Sequence, residues 1–161
     1  MALSKVFENI DQLLPVLEER RMRGDTIVFA NGCFELLHVG HIRYLAASKE
    51  LGDVLIVGVN TDDSLQAIKP DRNVVTPDVE RYEVIAALES VDYVVPLRER
   101  TPAELLEKIR PHYQTKGTDY TPERIPEREV VERHGGQVAI VGDPKDHSTT
   151  EIREALKKSS R

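Results

Sequence analysis

A chain of 161 residues, 40% hydrophobic and 31% charged, is long enough to close one core and predicts a single globular domain over 1–161. Its net charge of −6 argues against the broad basic face that nucleic-acid binding needs, although one local pocket can oppose the global sign. Cys33 is the sole cysteine, which excludes an intramolecular disulfide; no long apolar core opens the chain and no run reaches membrane-spanning length, so a cytoplasmic protein without membrane contact is expected.

Phe7, Ile10, Leu13, Leu14, Val16 and Leu17 recur at helical spacing, predicting an amphipathic N-terminal helix over 7–22 that Pro15 either kinks or starts. Residues 26–30 are too few for a helix and rich in β-branched and aromatic types. They read as a first strand, closed by a turn at Asn31 and Gly32. A helix then opens near Gly40 and runs to about 50, with Ile42, Leu45 and Ala46 on one face. The apolar run 54–59 is a second strand, of the kind buried on both faces of a parallel sheet. Residues 60–69 start as a turn and become a short helix, and 69–73 are a polar loop. A proline start and an acidic first turn predict a helix over 77–89. A third strand spans 91–97, and Thr101, with Glu104 three residues on, caps a helix through 110. Residues 112–116 form a weaker fourth strand, and 116–120 a loop. A helix over 126–134 ends at Gly135 and Gly136, and a fifth strand spans 138–141. Ser148, Thr149 and Thr150 open a last helix that runs to about 158. The alternation predicts an α/β fold: a Rossmann-like, mainly parallel five-stranded sheet with helices on both faces. Ligands of such sheets collect beyond the carboxyl ends of the strands, where the strand order reverses.

The exit of the first strand is such a place. A helix N-terminus carries unpaired N–H groups and the positive end of the dipole, so the opening near Gly40 suits an anion. Gly40 lets a phosphate approach the backbone, and His38 and His41 flank it as hydrogen-bond donors. The last helix offers a second anion site, where Ser148, Thr149 and Thr150 add hydroxyls to free amides. Each feature also has a plainer reading. Cys33, His38 and His41 could be zinc ligands, but no fourth ligand is evident and Cys33 packs readily as a small apolar residue. Ser148 and Thr149 could simply cap a helix. Lys69, Arg72, Arg81 and Arg153 could be solvated charges, Lys116 and Asp119 a loop ion pair, and Tyr44 a core residue.

The stretch Gly32-Cys33-Phe34-Glu35-Leu36-Leu37-His38-Val39-Gly40-His41, together with Ser148-Thr149-Thr150, resembles the cytidylyltransferase-like nucleotidyltransferases. Their hallmarks are a His-x-Gly-His motif and a helix start rich in serine and threonine. Within them the similarity is to the adenylyltransferases that form ADP-heptose from a heptose 1-phosphate. It is echoed at Phe29-Ala30-Asn31-Gly32-Cys33-Phe34, Leu55-Ile56-Val57-Gly58-Val59-Asn60-Thr61-Asp62, Val91-Asp92-Tyr93-Val94-Val95 and Lys116-Gly117-Thr118-Asp119-Tyr120. The resemblance implies transfer of AMP from ATP to a sugar 1-phosphate with release of pyrophosphate. It also implies Mg²⁺ brought in with the ATP, and a homodimer. It implies His38, His41 and Lys69 as catalytic residues. Asn31, Gly32, Cys33, Phe34, Gly40, Arg72, Arg81, Lys116, Gly117, Asp119, Ser148, Thr149 and Thr150 would bind nucleotide and phosphate, and Glu35, Asn60 and Asp62 the acceptor. A cytidylyltransferase acting on glycerol 3-phosphate or a similar alcohol phosphate is the runner-up, and a non-catalytic nucleotide-binding module the alternative of another class. Glu35 stands where aspartate is usual. Pro70, Thr118, Asp146 and His147 are further departures, grouped around the substrate loops.

Overall fold

Strand pairing follows the apolar runs. In the computed structural model, which describes residues 2–144 and 148–160, the strands are β1 (Ile27–Gly32), β2 (Val54–Asn60), β3 (Tyr93–Leu97), β4 (Tyr113–Lys116) and β5 (Gln137–Ile140). They form one sheet in the order β3-β2-β1-β4-β5, with every pairing parallel. Seven α-helices are described: α1 (Ile10–Met22), α2 (Val39–Lys49), α3 (Asp62–Ile68), α4 (Asp78–Ala86), α5 (Ala103–Ile109), α6 (Arg128–Arg133) and α7 (Thr149–Ser159). Asp146 and His147, singled out above, lie outside the described residues.

Alternate side chains of each strand serve two cores. Ile27 and Phe29 of β1, with Val54 and Ile56 of β2, pack against Leu13 and Leu17 of α1, Leu106 and Ile109 of α5 and Val131 of α6. Val28, Ala30, Leu55, Val57 and Val59 face the other way, onto Leu45 of α2 and Tyr82 and Ile85 of α4. This period-two division is what a parallel sheet covered on both faces requires. The strand order reverses between β1 and β4, so their carboxyl ends open a crevice there.

Several boundaries differ from the sequence reading. Asn31 and Gly32 are not a turn: they continue β1, paired with Gly58 and Val59, because β2 is long enough to hold them. The chain turns instead at Phe34, whose φ of 48° is left-handed, a conformation that costs a bulky residue about 1–2 kcal/mol. The first helix starts at Ile10, capped by Asn9, whose side chain accepts from Gln12 N at 3.1 Å, and it continues through Pro15. Thr101 does not cap α5; Pro102 occupies that position and makes no side-chain cap bond. Ahead of α1, a 3₁₀ turn at Ala2–Lys5 leads into a bridge between Val6 and Val94 that covers the β3 edge. Pro96 fits in β3 because an edge strand tolerates a missing donor.

Gly135 ends α6 in the left-handed conformation (φ 81°), and Gly136 passes close to the backbone at Pro111, just ahead of β4. A Cβ on Gly136 would lie 2.4 Å from the carbonyl oxygen of Pro111, a backbone atom that cannot swing away. Gly136→Ala is therefore expected to destabilise the fold by about 1–3 kcal/mol, measured by urea unfolding.

Candidate active site

The crevice at the carboxyl ends of β1 and β4 is a cavity of about 480 Å³. Its walls include His38, Gly40 and His41 on one side and Ser148, Thr149 and Thr150 on another. The two anion sites read from opposite ends of the sequence thus face one space. They also touch: Thr149 Oγ1 lies 3.5 Å from the carbonyl oxygen of Leu36, in the loop that leads to His38.

The α2 terminus is built by the histidines themselves. His38 is the N-cap, and its Nδ1 accepts from Gly40 N at 3.1 Å; His41 Nδ1 accepts from His38 N at 3.3 Å. A ring nitrogen that accepts carries no proton, so each imidazole holds its hydrogen on Nε2. The rings stack with centroids 3.8 Å apart and planes 26° from parallel. His41 also meets the edge of Phe34, with centroids 5.3 Å apart. The motif thus caps the helix through its Nδ1 atoms, and both rings line the cavity.

At α7, Ser148 is the N-cap. Its hydroxyl accepts from Glu151 N at 3.1 Å, and Ser148 N in turn donates to the Glu151 carboxylate, also at 3.1 Å. Ser148 thus caps the helix, while Thr149 and Thr150 stand on the first turn and line the cavity. Arg72 donates to Thr150 Oγ1 at 3.0 Å, and Lys69, the C-cap of α3, stands beside it on the wall.

Lys116, at the end of β4, is 9% exposed; its Nζ donates to Asn31 Oδ1 at 3.2 Å and lies 5.3 Å from the Tyr120 ring centre. Burial holds its pKa below the ordinary lysine value, against the pull of Glu127 and Asp119. The folded state binds this proton less tightly than the unfolded chain does. The cost is therefore present at neutral pH and is relieved as pH rises from the lowered value toward 10.5. Lys116→Met is expected to raise the Tm of the ligand-free protein at pH 7 and to weaken triphosphate binding at least about 10-fold. The Tm advantage should shrink in titrations toward pH 10.

Of the other residues singled out in the sequence, Asn31, Gly32, Cys33, Phe34, Glu35, Asn60, Gly117 and Asp119 line the same cavity. Burial pushes the Cys33 thiol up, and its Sγ lies 3.6 Å from Asn60 Oδ1, so it sits as a packed thiol. Among the described residues no group of three His, Cys, Asp or Glu side chains is arranged to hold a metal ion. Arg81 and Asp62 are not on the cavity wall. The Arg81 guanidinium, 1% exposed, donates to the carbonyls of Cys33 (2.6 Å), Asn60 (2.7 Å) and Thr76 (3.0 Å) and to Asp62 Oδ1 (2.8 Å). It ties the motif loop to β2 and α4. Arg153 is partly exposed (21%) and not simply solvated: it donates to Glu35 Oε1 at 2.5 Å and to Asn73 O at 3.0 Å. Tyr44 is tied to the β4 backbone, its hydroxyl donating to Thr115 O at 2.8 Å, and burial raises its pKa.

The sequence reading missed Arg43, Arg100, Glu127 and Asp143, which also line the cavity. Arg43 pairs with Asp143 at 2.9 Å, and Thr118 donates to Asp143 O at 2.8 Å, closing the rim. Arg43 stands on α2 two residues beyond the His-x-Gly-His motif, whereas Arg100, Glu127 and Asp143 stand outside any motif and are brought in by tertiary packing.

Comparison with known proteins agrees with this geometry. Residues 29–155 match the model of the family described as cytidylyltransferase-like. The protein named bifunctional protein HldE of Pelobacter propionicus is 44% identical over 149 residues, 92% of this chain but 30% of that protein. The chain thus spans about a third of the length of the curated relatives it matches. A solved lipopolysaccharide core biosynthesis protein of Thermoplasma volcanium aligns with a TM-score of 0.60 and 31% identity, over 73% of this chain and 95% of that one. A pantoate-beta-alanine ligase from Francisella tularensis, at 15% identity, shares the fold alone, with a TM-score of 0.57 over 97% of this chain and 78% of its own.

Proposed function

The chain belongs to the cytidylyltransferase-like family of nucleotidyltransferases, and from that premise we propose that it transfers AMP from MgATP to a sugar 1-phosphate, a heptose 1-phosphate in the first instance, releasing pyrophosphate. The observation that carries this reading is the single cavity lined by both the histidine pair and the Ser-Thr-Thr helix start. One α-helix terminus is suited to the reacting phosphate and a second to the phosphates that depart. The choice of acceptor draws support from the resemblance to ADP-heptose-forming enzymes and from the stretch shared with proteins named HldE.

In this reading a phosphate oxygen of the acceptor attacks the α-phosphorus in line, and the bond to the β-phosphate oxygen breaks. The acceptor phosphate is already largely dianionic at pH 7, so no general base is needed. The work is positioning and charge stabilisation. The Nε2–H groups of His38 and His41 donate to oxygens of the α-phosphate, where charge shifts as the transition state forms. The first amides of α7, with Ser148, Thr149 and Thr150, receive the β- and γ-phosphates, and Lys69 and Arg72 add positive charge beside them. Mg²⁺ enters as part of the substrate, held on phosphate oxygens and water. The resemblance also supports a homodimer, which light scattering tests against twice the chain's 18.2 kDa.

The test is pyrophosphate release from each of the four nucleoside triphosphates against a panel of sugar 1-phosphates and glycerol 3-phosphate. The reading predicts turnover with ATP and a heptose 1-phosphate, with the nucleotide-sugar identified by mass. Turnover only with CTP and glycerol 3-phosphate would replace it with the cytidylyltransferase reading. No pyrophosphate with any pair, despite triphosphate binding, would leave a nucleotide-binding module.

A further inference from the structure

Helix α7 brings half of the phosphate cradle, yet none of its described residues is buried and Leu156 is 58% exposed. Polar ties hold its first turns: Thr149 Oγ1 to Leu36 O, Arg72 to Thr150 and Arg153 to Glu35. One atom joins them. Glu35 Oε1 accepts from Arg153 at 2.5 Å and from Val75 N at 2.7 Å, while Arg153 also donates to Asn73 O at 3.0 Å. The Glu35 carboxylate thus gathers three segments: the loop leading to His38, the 69–75 loop with Lys69 and Arg72, and α7. Its side chain is 2% exposed, so the carboxylate is desolvated, while Arg153 keeps 21% exposure.

We propose that Glu35 and Arg153 are a positioning pair that sets the α7 terminus and the 69–75 loop against the histidine motif, so that triphosphate meets a preformed cradle. This assigns Glu35 to the construction of the site and not to the acceptor. Removing the partners has unequal consequences. Arg153→Gln leaves a buried carboxylate with one backbone donor, whereas Glu35→Gln leaves a guanidinium that is 21% exposed and can reach water. The arginine change is therefore the more harmful.

The experiment has two arms, and only the kinetic one rests on the function proposed above. In the first, amide hydrogen exchange is followed on the ligand-free protein. Glu35→Gln and Arg153→Gln should speed exchange at least 10-fold in α7 and the 69–75 loop while α1 and the central strands stay protected. In the second, both variants and the double variant are assayed. KM for the triphosphate should rise about 10-fold for Glu35→Gln and more for Arg153→Gln, with KM for the acceptor changed less than 2-fold. The double variant should be no worse than Arg153→Gln, and Arg153→Lys should recover part of the loss. Unchanged exchange in α7 overturns the proposal whatever the reaction, as do additive losses or a rise confined to the acceptor KM. Faster exchange in α7 without any turnover in the unmodified protein upholds the pair and counts against the reaction.

Discussion

His41→Ala is expected to lower kcat by about 10²–10³-fold, the usual loss when one preorganised donor to a developing charge is removed. Stability should fall far less, by about 1 kcal/mol, because His41 supplies one side-chain acceptor of the α2 cap. His38→Ala should behave similarly, with a larger cap penalty, since His38 is the N-cap itself. The double function gives a control. In His41→Asn the side-chain oxygen can still accept from His38 N while the amide donates, so the fold should be intact and part of the rate recovered. Steady-state kinetics beside thermal unfolding separate the two effects. Near-normal turnover in His41→Ala would remove this ring from the mechanism.

The second large effect is on stability. Arg81→Met should cost about 3–5 kcal/mol, the range for removing one partner from a buried charged network. The carbonyls of Cys33, Asn60 and Thr76 would each lose a charged donor at once. For a domain of this size that corresponds to a fall in Tm of about 6–20 °C. Asp62→Asn removes only the charge of the remaining partner, which is 38% exposed and screened by water, and should cost no more than about 1 kcal/mol. Calorimetric unfolding of the two variants side by side tests this difference. Equal, small losses would make Arg81 an ordinary surface charge.

These two residues show what was legible in the sequence and what was not. The sheet was legible because β1 and β2 are apolar runs bounded by polar breaks, and the two helix starts because they are local: an imidazole or hydroxyl next to a helix start is visible in a few consecutive letters. Boundaries were lost where a distant partner decides them. Asn31 and Gly32 look like a turn in isolation and become strand because β2 continues alongside them. Arg81 and Arg153 read as solvated or ligand-facing charges because nothing nearby in sequence announces a buried acceptor. Their partners lie 19 to 48 and 80 to 118 residues away in all cases but one, the Arg81 bond to Thr76. The N-terminal 3₁₀ turn and its bridge to β3 were hidden for the same reason: edge protection is a property of the assembled sheet.

The claim beneath all of this is that the start of α2 and the start of α7 form one receptor for one polyphosphate. The direct measurement is amide exchange during titration with Mg²⁺ and an ATP analogue carrying a β,γ-methylene bridge. The account predicts that the amides of Gly40 and His41 and those of Thr150 and Glu151 gain protection together, with a single midpoint. Protection at only one of the two helix starts, or two separate midpoints, would contradict it.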